Sequence, residues 1–412
     1  MKTDLDALMK AQELDAILVT GPAQHNPAMV YLTGGGNLTS ADLIKPRAAD
    51  MVLFYNPMER DEAAKTGLKT KSLADYNLLE LIKHSNGDFQ KAYVMRYQRM
   101  FSEMGIASGR VGLYGQMDAG RSLALFSALQ AAMPGLEFVG DLNGKVLLAA
   151  MATKDEAEVE RIRAMGKITV GVVAQVAEFL TSHRVKDEVL VQSNGDPLTI
   201  ADVKRRINLW LAEAGAENPE GTIFAIGRDA GVPHSAGNPA DLLRLGQSIV
   251  FDIFPCEAGG GYFYDFTRTW SLGYAPDDLQ ALYDDVRSVY DQVMGELRFG
   301  AACKDYQKLT CDLFEAQGHP TIQSDPRTQQ GYVHSLGHGV GLYIHERPSI
   351  GATSPPEDIL SAGVVVTVEP GLYYPDRGMG VRLEDTVWVR PDGQFEILAD
   401  YPLDLVLPVN DA

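Results

Sequence analysis

The chain is 412 residues long, 45% hydrophobic and 22% charged, which excludes a disordered polymer and supplies apolar material for two to three domain cores. Thirty-six basic against 55 acidic residues give a formal charge of −19, which argues against nucleic acid or an anionic membrane as partner. Some of that charge can belong to carboxylates that bind cations. Three cysteines, Cys256, Cys303 and Cys311, are too few for a disulfide framework and lack zinc-type spacing, so buried thiols are expected. The first residues lack a signal-peptide pattern, and no run of roughly 18 apolar residues predicts a transmembrane helix. A cytoplasmic location follows as the expectation.

In chain order, residues 1–150 alternate between strand and helix patterns. Apolar runs predict strands at Asp15–Thr20, Met29–Leu32, Ala49–Tyr55 and Arg110–Tyr114. Helical periodicity covers Leu73–Lys83 and Arg121–Met133. The pattern is that of an α/β domain. A boundary falls near Met151, where Thr153-Lys-Asp-Glu156 has the T-x-x-E form of a capping box and opens a helix expected to reach about Ser182. This divides the chain into domains 1–152 and 153–412. Helical stretches near 199–215, 276–298 and 304–317 then alternate with antiparallel strand pairs, an α+β pattern.

The second domain carries acids in unusual settings. Asp252 lies in Ser248-Ile-Val-Phe-Asp252-Ile-Phe-Pro255 and Asp265 in Tyr262-Phe-Tyr-Asp265-Phe-Thr-Arg-Thr-Trp270, two strand-forming runs joined by the turn Cys256–Gly261. Asp265 shares a strand face with Phe263 and Thr267. An acid buried there needs a cation or a proton. The pattern recurs in Val364–Tyr373, which holds Glu369, and Gly380–Val389, which holds Glu384. Arg382 shares a face with Glu384, while Asp385 points the other way. Three of the eight histidines, His334, His338 and His345, fall within twelve positions, and the glycines around His338 allow close backbone approach. His234 sits in a Gly/Pro-rich loop, which alone means little. Four carboxylates and an imidazole form a hard-oxygen set suited to Mn2+, with Co2+, Fe2+ or Zn2+ as further candidates. Two divalent cations would neutralise the four acids.

The order Asp252, Asp265, Gly337-His338-Gly339-Val340-Gly341, Glu369-Pro370-Gly371, Arg382-x-Glu384-Asp385 resembles the pita-bread metallopeptidases of family M24: methionine aminopeptidase, Xaa-Pro aminopeptidase and prolidase (Xaa-Pro dipeptidase). The likeness covers about 155–410. The first domain resembles the extra α/β domain of the creatinase, prolidase and Xaa-Pro aminopeptidase branch. The resemblance implies a C-terminal pita-bread fold, two metal ions per subunit, a homodimer, and small peptides with proline second as substrates. It implies hydrolysis of the Xaa-Pro bond with a metal-bridging hydroxide as nucleophile. Asp252 would bind one metal, Asp265 and Glu384 both, and His338 and Glu369 the other, with Glu369 also as general base. His345 would meet the substrate carbonyl, His234 would assist near the scissile amide and His334 would line a proline pocket. Arg382 would orient the bridging glutamate or meet a substrate carboxylate. Non-peptidase relatives on this fold are the alternatives: a metal-dependent lyase acting on dimethylsulfoniopropionate, a creatinase-like C–N hydrolase, or an interaction module. The last two usually lack the five ligands, all of which are present here. One departure stands out: Asp252 and Asp265 are two residues further apart than the family pattern. The extra residues are expected in the glycine turn, because a one-residue slip inside a strand would turn Asp252 away.

Overall fold

The computed structural model describes residues 2–409. It divides into two compact units: the residues up to Met151 together with Gly259–Gly261, and Ala152–Ala258 together with Tyr262 onward.

The first unit is built on a six-stranded mixed sheet. Its strands are β1 (Ala16–Gly21), β2 (Ala41–Pro46), β3 (Val52–Tyr55), β4 (Lys69–Ser72), β5 (Gly109–Gly115) and β6 (Leu136–Gly140), in the order β4-β3-β2-β1-β5-β6. Leu18, Ile44 and Phe54 on the sheet pack against Tyr97 and Phe101 of the Phe89–Glu103 helix. Met29–Leu32 is not a strand but the middle of a helix, Pro27–Thr33. Asn26 caps that helix by accepting the Met29 N–H, Pro27 opens it and left-handed Gly34 ends it, so punctuation outweighs the apolar run. The periodicity over Leu73–Lys83 is likewise broken by Asn77 at φ 36° into a 3-10 turn and a helix, Leu78–His84.

The second unit opens with the helix Glu156–Thr181. Its capping box is formed by Asp155 and Glu158, two residues beyond the T-x-x-E motif, because Thr153 bridges to Val364 instead. This helix has the length and mean hydropathy, 1.2, of a membrane-crossing segment. Its apolar stripe, from Val159 through Val176 to Leu180, is buried, as in the core helix of a globular domain. Helices Ile200–Glu213, Asp277–Glu296 and Cys303–Ala316 follow.

A four-stranded and a five-stranded sheet hold the unit together. One contains β7 (Thr222–Ile226), β8 (Ser248–Ile253), β9 (Phe266–Leu272) and, at its far edge, β17 (Val406–Leu407). The other has β10 (Gly337–Gly339), β11 (Glu346–Ile350), β12 (Val365–Val368), β15 (Asp385–Val389) and β16 (Phe395–Ile397), in the order β11-β10-β12-β15-β16. A ribbon of β13 (Gly371–Tyr374) and β14 (Met379–Arg382) continues from the middle of this sheet. Where sheet and ribbon meet, Arg268 is buried with all five donors engaged. They reach the carbonyls of Thr267, Glu384, Tyr401 and Pro402 and the carboxylate of Asp385, the last at 2.9 Å. Asp385, turned away from Glu384, also accepts from the Tyr290 hydroxyl and so is a buried structural acid.

Candidate metal centre

Asp252 and Asp265 come from β8 and the residue just before β9. The β8–β9 pairing runs without a bulge from Ser248 opposite Ser271 to Ile253 opposite Phe266, which sets Asp252 opposite Thr267. Directly opposed residues point to the same face, and Asp265, two before Thr267, points there too. The same register continues past the strands, with the Tyr264 N–H donating to the Pro255 carbonyl (3.1 Å), Cys256 bridging to Phe263 and the Glu257 N–H donating to the Tyr262 carbonyl (3.0 Å), so the greater spacing of the aspartates is taken up in the glycine turn, residues 258–261.

Glu369 and Glu384 are opposed across a break in a second ribbon. Val368 pairs with Asp385 and, past the break, Gly371 pairs with Arg382, so one register spans both segments and Glu369 faces Glu384. Pro370, with no N–H to donate, falls in the interruption. Glu384 docks on β9: its N–H donates to the Thr267 carbonyl at 3.1 Å, and the Thr267 hydroxyl donates to its carboxylate at 2.6 Å. The Glu369 N–H donates to the Leu336 carbonyl at 2.8 Å.

His338 is on β10, wedged between β11 and β12. A Cβ at Gly337 would lie 2.1 Å from the Thr367 carbonyl oxygen, and one at Gly339 2.3 Å from that of Arg347. The close approach these glycines permit is thus to neighbouring strands, and it brings the histidine into line. Its Nδ1 faces the Gly339 carbonyl at 3.1 Å, a contact that places the proton there and leaves the Nε2 lone pair facing inward. Nε2 is 3.5 Å from both Asp265 and Glu369. Asp265, His338 and Glu384 each offer a ligand atom within 4.8 Å of the others.

The electrostatics of these groups call for positive charge. Burial, then repulsion from Glu384, Asp252 and Glu369, pushes the Asp265 carboxyl well above the usual range. Burial and Glu384 do the same to Glu369, and burial and Asp252 push Glu384 up to about 8. Burial lowers His338 to about 3, leaving a neutral imidazole fit to ligate. Arg382 binds one oxygen of Asp252, while the other oxygen, Oδ1, is buried with no partner. An orphaned carboxylate oxygen beside three crowded acids and a neutral imidazole fits divalent cations. Arg382 reaches Glu384 only through Thr267, whose hydroxyl accepts from its Nε at 3.2 Å.

The remaining candidates surround the same space. The His345 ring stands edge-on to His338 with centroids 4.2 Å apart, and burial lowers its pKa. His234 is exposed to the cavity from a loop in which the Pro233 carbonyl accepts from Arg382 at 3.3 Å. His334, lowered by burial to about 3, accepts at Nε2 from the Tyr373 hydroxyl (2.9 Å). That hydroxyl in turn accepts from Arg382 (2.6 Å). A cavity of about 760 Å3 is lined by all nine sequence candidates. Sequence reasoning missed Thr267 and Tyr373, ordinary strand residues whose only signal was a shared face or neighbourhood with an acid. It also missed Lys204, Asn208, Asn218 and Glu220 on the cavity wall.

The model for metallopeptidase family M24 matches residues 160–391, and that for the creatinase/prolidase N-terminal domain matches residues 3–143. The probable dipeptidase PepE of Mycobacterium tuberculosis is 28% identical over 69% of this chain and 71% of its own. The Xaa-Pro dipeptidase of Pyrococcus furiosus is 31% identical over 47% of this chain and 51% of its own. Among solved structures, the X-Pro aminopeptidase of Thermotoga maritima superposes with a TM-score of 0.73 at 21% identity, covering 95% of this chain and 97% of that one. The Pyrococcus furiosus prolidase gives 0.71 at 21%, covering 97% and 100%. These neighbours share the fold: pita-bread in the second unit, with a creatinase-type domain before it. With a family match spanning more than half of its length, the chain belongs to metallopeptidase family M24.

Proposed function

We propose that this protein hydrolyses the peptide bond that precedes proline, in a dipeptide or at the N-terminus of a longer peptide. The observation that carries the reading is the buried cluster of four carboxylates and one inward-facing imidazole, with the orphaned Asp252 oxygen, on a cavity wall shared with three further histidines. Asp252, Asp265, His338, Glu369 and Glu384 would hold two divalent cations, with Mn2+ the first choice for this donor set. When bound, the cations supply an activated water and polarise the scissile carbonyl.

The chain's own groups do the rest. Glu369 accepts the proton of the attacking water and passes it to the proline nitrogen as the C–N bond breaks. His345, beside His338 at the cavity, hydrogen-bonds the carbonyl oxygen as it gains charge. His234 attends the nitrogen that leaves, and His334 lines the space for the proline ring. Arg382 orients Asp252 directly and Glu384 through Thr267. The working form is a homodimer in the cytoplasm.

The test is product analysis. The protein is stripped of metal, reloaded with Mn2+ and offered an Xaa-Pro dipeptide beside an Xaa-Pro-Xaa tripeptide. Cleavage of the dipeptide alone identifies a dipeptidase, and cleavage of the tripeptide an aminopeptidase. Cleavage of neither by protein that holds its metals refutes the proposal and turns attention to lyase chemistry.

A further inference from the structure

Glu346 follows His345 and takes no part in the chemistry above, yet its carboxylate lies inside the turn that carries that histidine. Its Oε1 accepts the backbone N–H groups of Leu342 (2.7 Å) and Tyr343 (3.1 Å). Its Oε2 accepts from the Lys154 ammonium at 2.8 Å, and the two side chains are only 0% and 2% exposed. A Cβ at Gly341 would lie 2.4 Å from Oε2, so the turn closes on the carboxylate only because that residue is glycine. From outside, the Phe263 N–H donates to the Gly341 carbonyl (2.8 Å) and the Val340 N–H to that of Val365 (3.1 Å). Residues 340–345 are therefore wound around one carboxylate, and the His345 ring emerges from the end of that winding against His338.

So deep an ion pair is a poor source of stability, since apolar packing of the same volume often serves equally well. Its geometry serves another end. The carboxylate fixes Leu342 and Tyr343, and those fix the backbone two residues before His345. Lys154, just ahead of the long helix, holds the carboxylate in place from the other side.

We propose that Glu346, held by Lys154, is a positioning residue that sets the place of the His345 imidazole over the metal centre. This rests on the role proposed above for His345. In Glu346→Gln the amide keeps one acceptor oxygen but presents an N–H to the ammonium. With an Xaa-Pro substrate, kcat is expected to fall about 10- to 100-fold while KM and bound metal stay as in the wild type. Combined with His345→Ala, the substitution should cost nothing beyond His345→Ala alone. Multiplying losses, or loss of metal, overturn the proposal. Lys154→Met/Glu346→Gln removes the facing ammonium and is expected to fold and to recover most of kcat, and a folded double variant that stays as slow as Glu346→Gln also overturns it.

A second readout needs no turnover. In Zn2+-loaded protein the His345 ring signal, assigned by its absence in His345→Ala, should shift in Glu346→Gln, with that of His338 stacked against it following, while those of the other six histidines stay in place. An unmoved signal refutes positioning. If wild-type protein cleaves no Xaa-Pro bond, the hydrolysis reading fails by itself and this spectrum still decides the role of Glu346.

Discussion

Replacing Gly337 by alanine adds one methyl group directly behind the metal-facing histidine. The backbone of Gly337 lies outside the left-handed region, so the cost is one of space alone. The new Cβ would fall 2.1 Å from the Thr367 carbonyl oxygen, and contacts below 3.0 Å are essentially never seen. The obstructing atom is backbone of β12, so β10 and β12 must part by about 0.9 Å, the difference between those distances. The displacement passes straight to the ligand, because the His338 N–H is bonded to the Thr367 hydroxyl at 3.1 Å. Metal–ligand bonds tolerate only about 0.2 Å. Mn2+ affinity should fall about 10- to 100-fold, or about 1.4–2.7 kcal/mol. Overpacking should also lower stability by about 1–3 kcal/mol. Calorimetric Mn2+ titration reads the first effect, and urea unfolding of metal-stripped protein reads the second. A variant with wild-type affinity and a wild-type urea midpoint would refute the view that this glycine spaces the ligand strand.

Three further outcomes are expected. Asp265→Asn should lower metal stoichiometry and turnover together, and atomic absorption alongside the peptide assay would expose a variant that keeps both and so remove Asp265 from the centre. In metal-stripped protein, Glu384 held up at about 8 keeps a proton that the unfolded chain releases, so stability falls as pH rises, whereas His334 and His338, depressed from 6.5 to about 3, act oppositely but only below 6.5. The melting temperature in chelator should therefore decline from pH 6.5 to 8 and level out with saturating Mn2+, and a flat profile in chelator contradicts the crowding of the acids. Asp385→Ala strands the buried Arg268 charge and the Tyr290 hydroxyl, at a cost of about 3–5 kcal/mol by urea denaturation; a loss under about 1 kcal/mol would show the pair to be dispensable.

The acids of the centre were legible because each interrupts a run of β-branched and aromatic residues, where an unpaired charge is expensive. His334, His338 and His345 were legible by crowding, whereas His234, alone in its loop, was not. Partners across sheets were not. Arg382 shares a face with Glu384 in its own segment, but its guanidinium reaches Asp252, some 130 residues earlier, because β14 lies against β9: the Arg382 N–H donates to the Thr269 hydroxyl at 2.9 Å. Thr267 and Tyr373 become informative only once that docking is known. In the first unit, Met29–Leu32 carries a strand-like run, and the caps on either side decide for helix. Asp385 reads as an ordinary acid on the far face, and only the depth of the fold beneath it shows that it is buried against Arg268.

The single register shared by the two halves of the Glu369–Glu384 ribbon determines where this chain can change length over evolutionary time. A residue gained or lost between Glu369 and Tyr374, or between Met379 and Glu384, would take the two glutamates out of opposition and rotate one of them off the centre. The turn at Pro375–Gly378 lies beyond the last pair, Tyr374 with Met379, and can be rebuilt without touching that opposition. Between β8 and β9 the turn at residues 258–261 lies beyond the last pairs in the same way, and a change of length there leaves Asp252 and Asp265 in register. Insertions in descendants of this chain should therefore collect at those two turns, while the arms that lead into them keep their length even as their side chains drift.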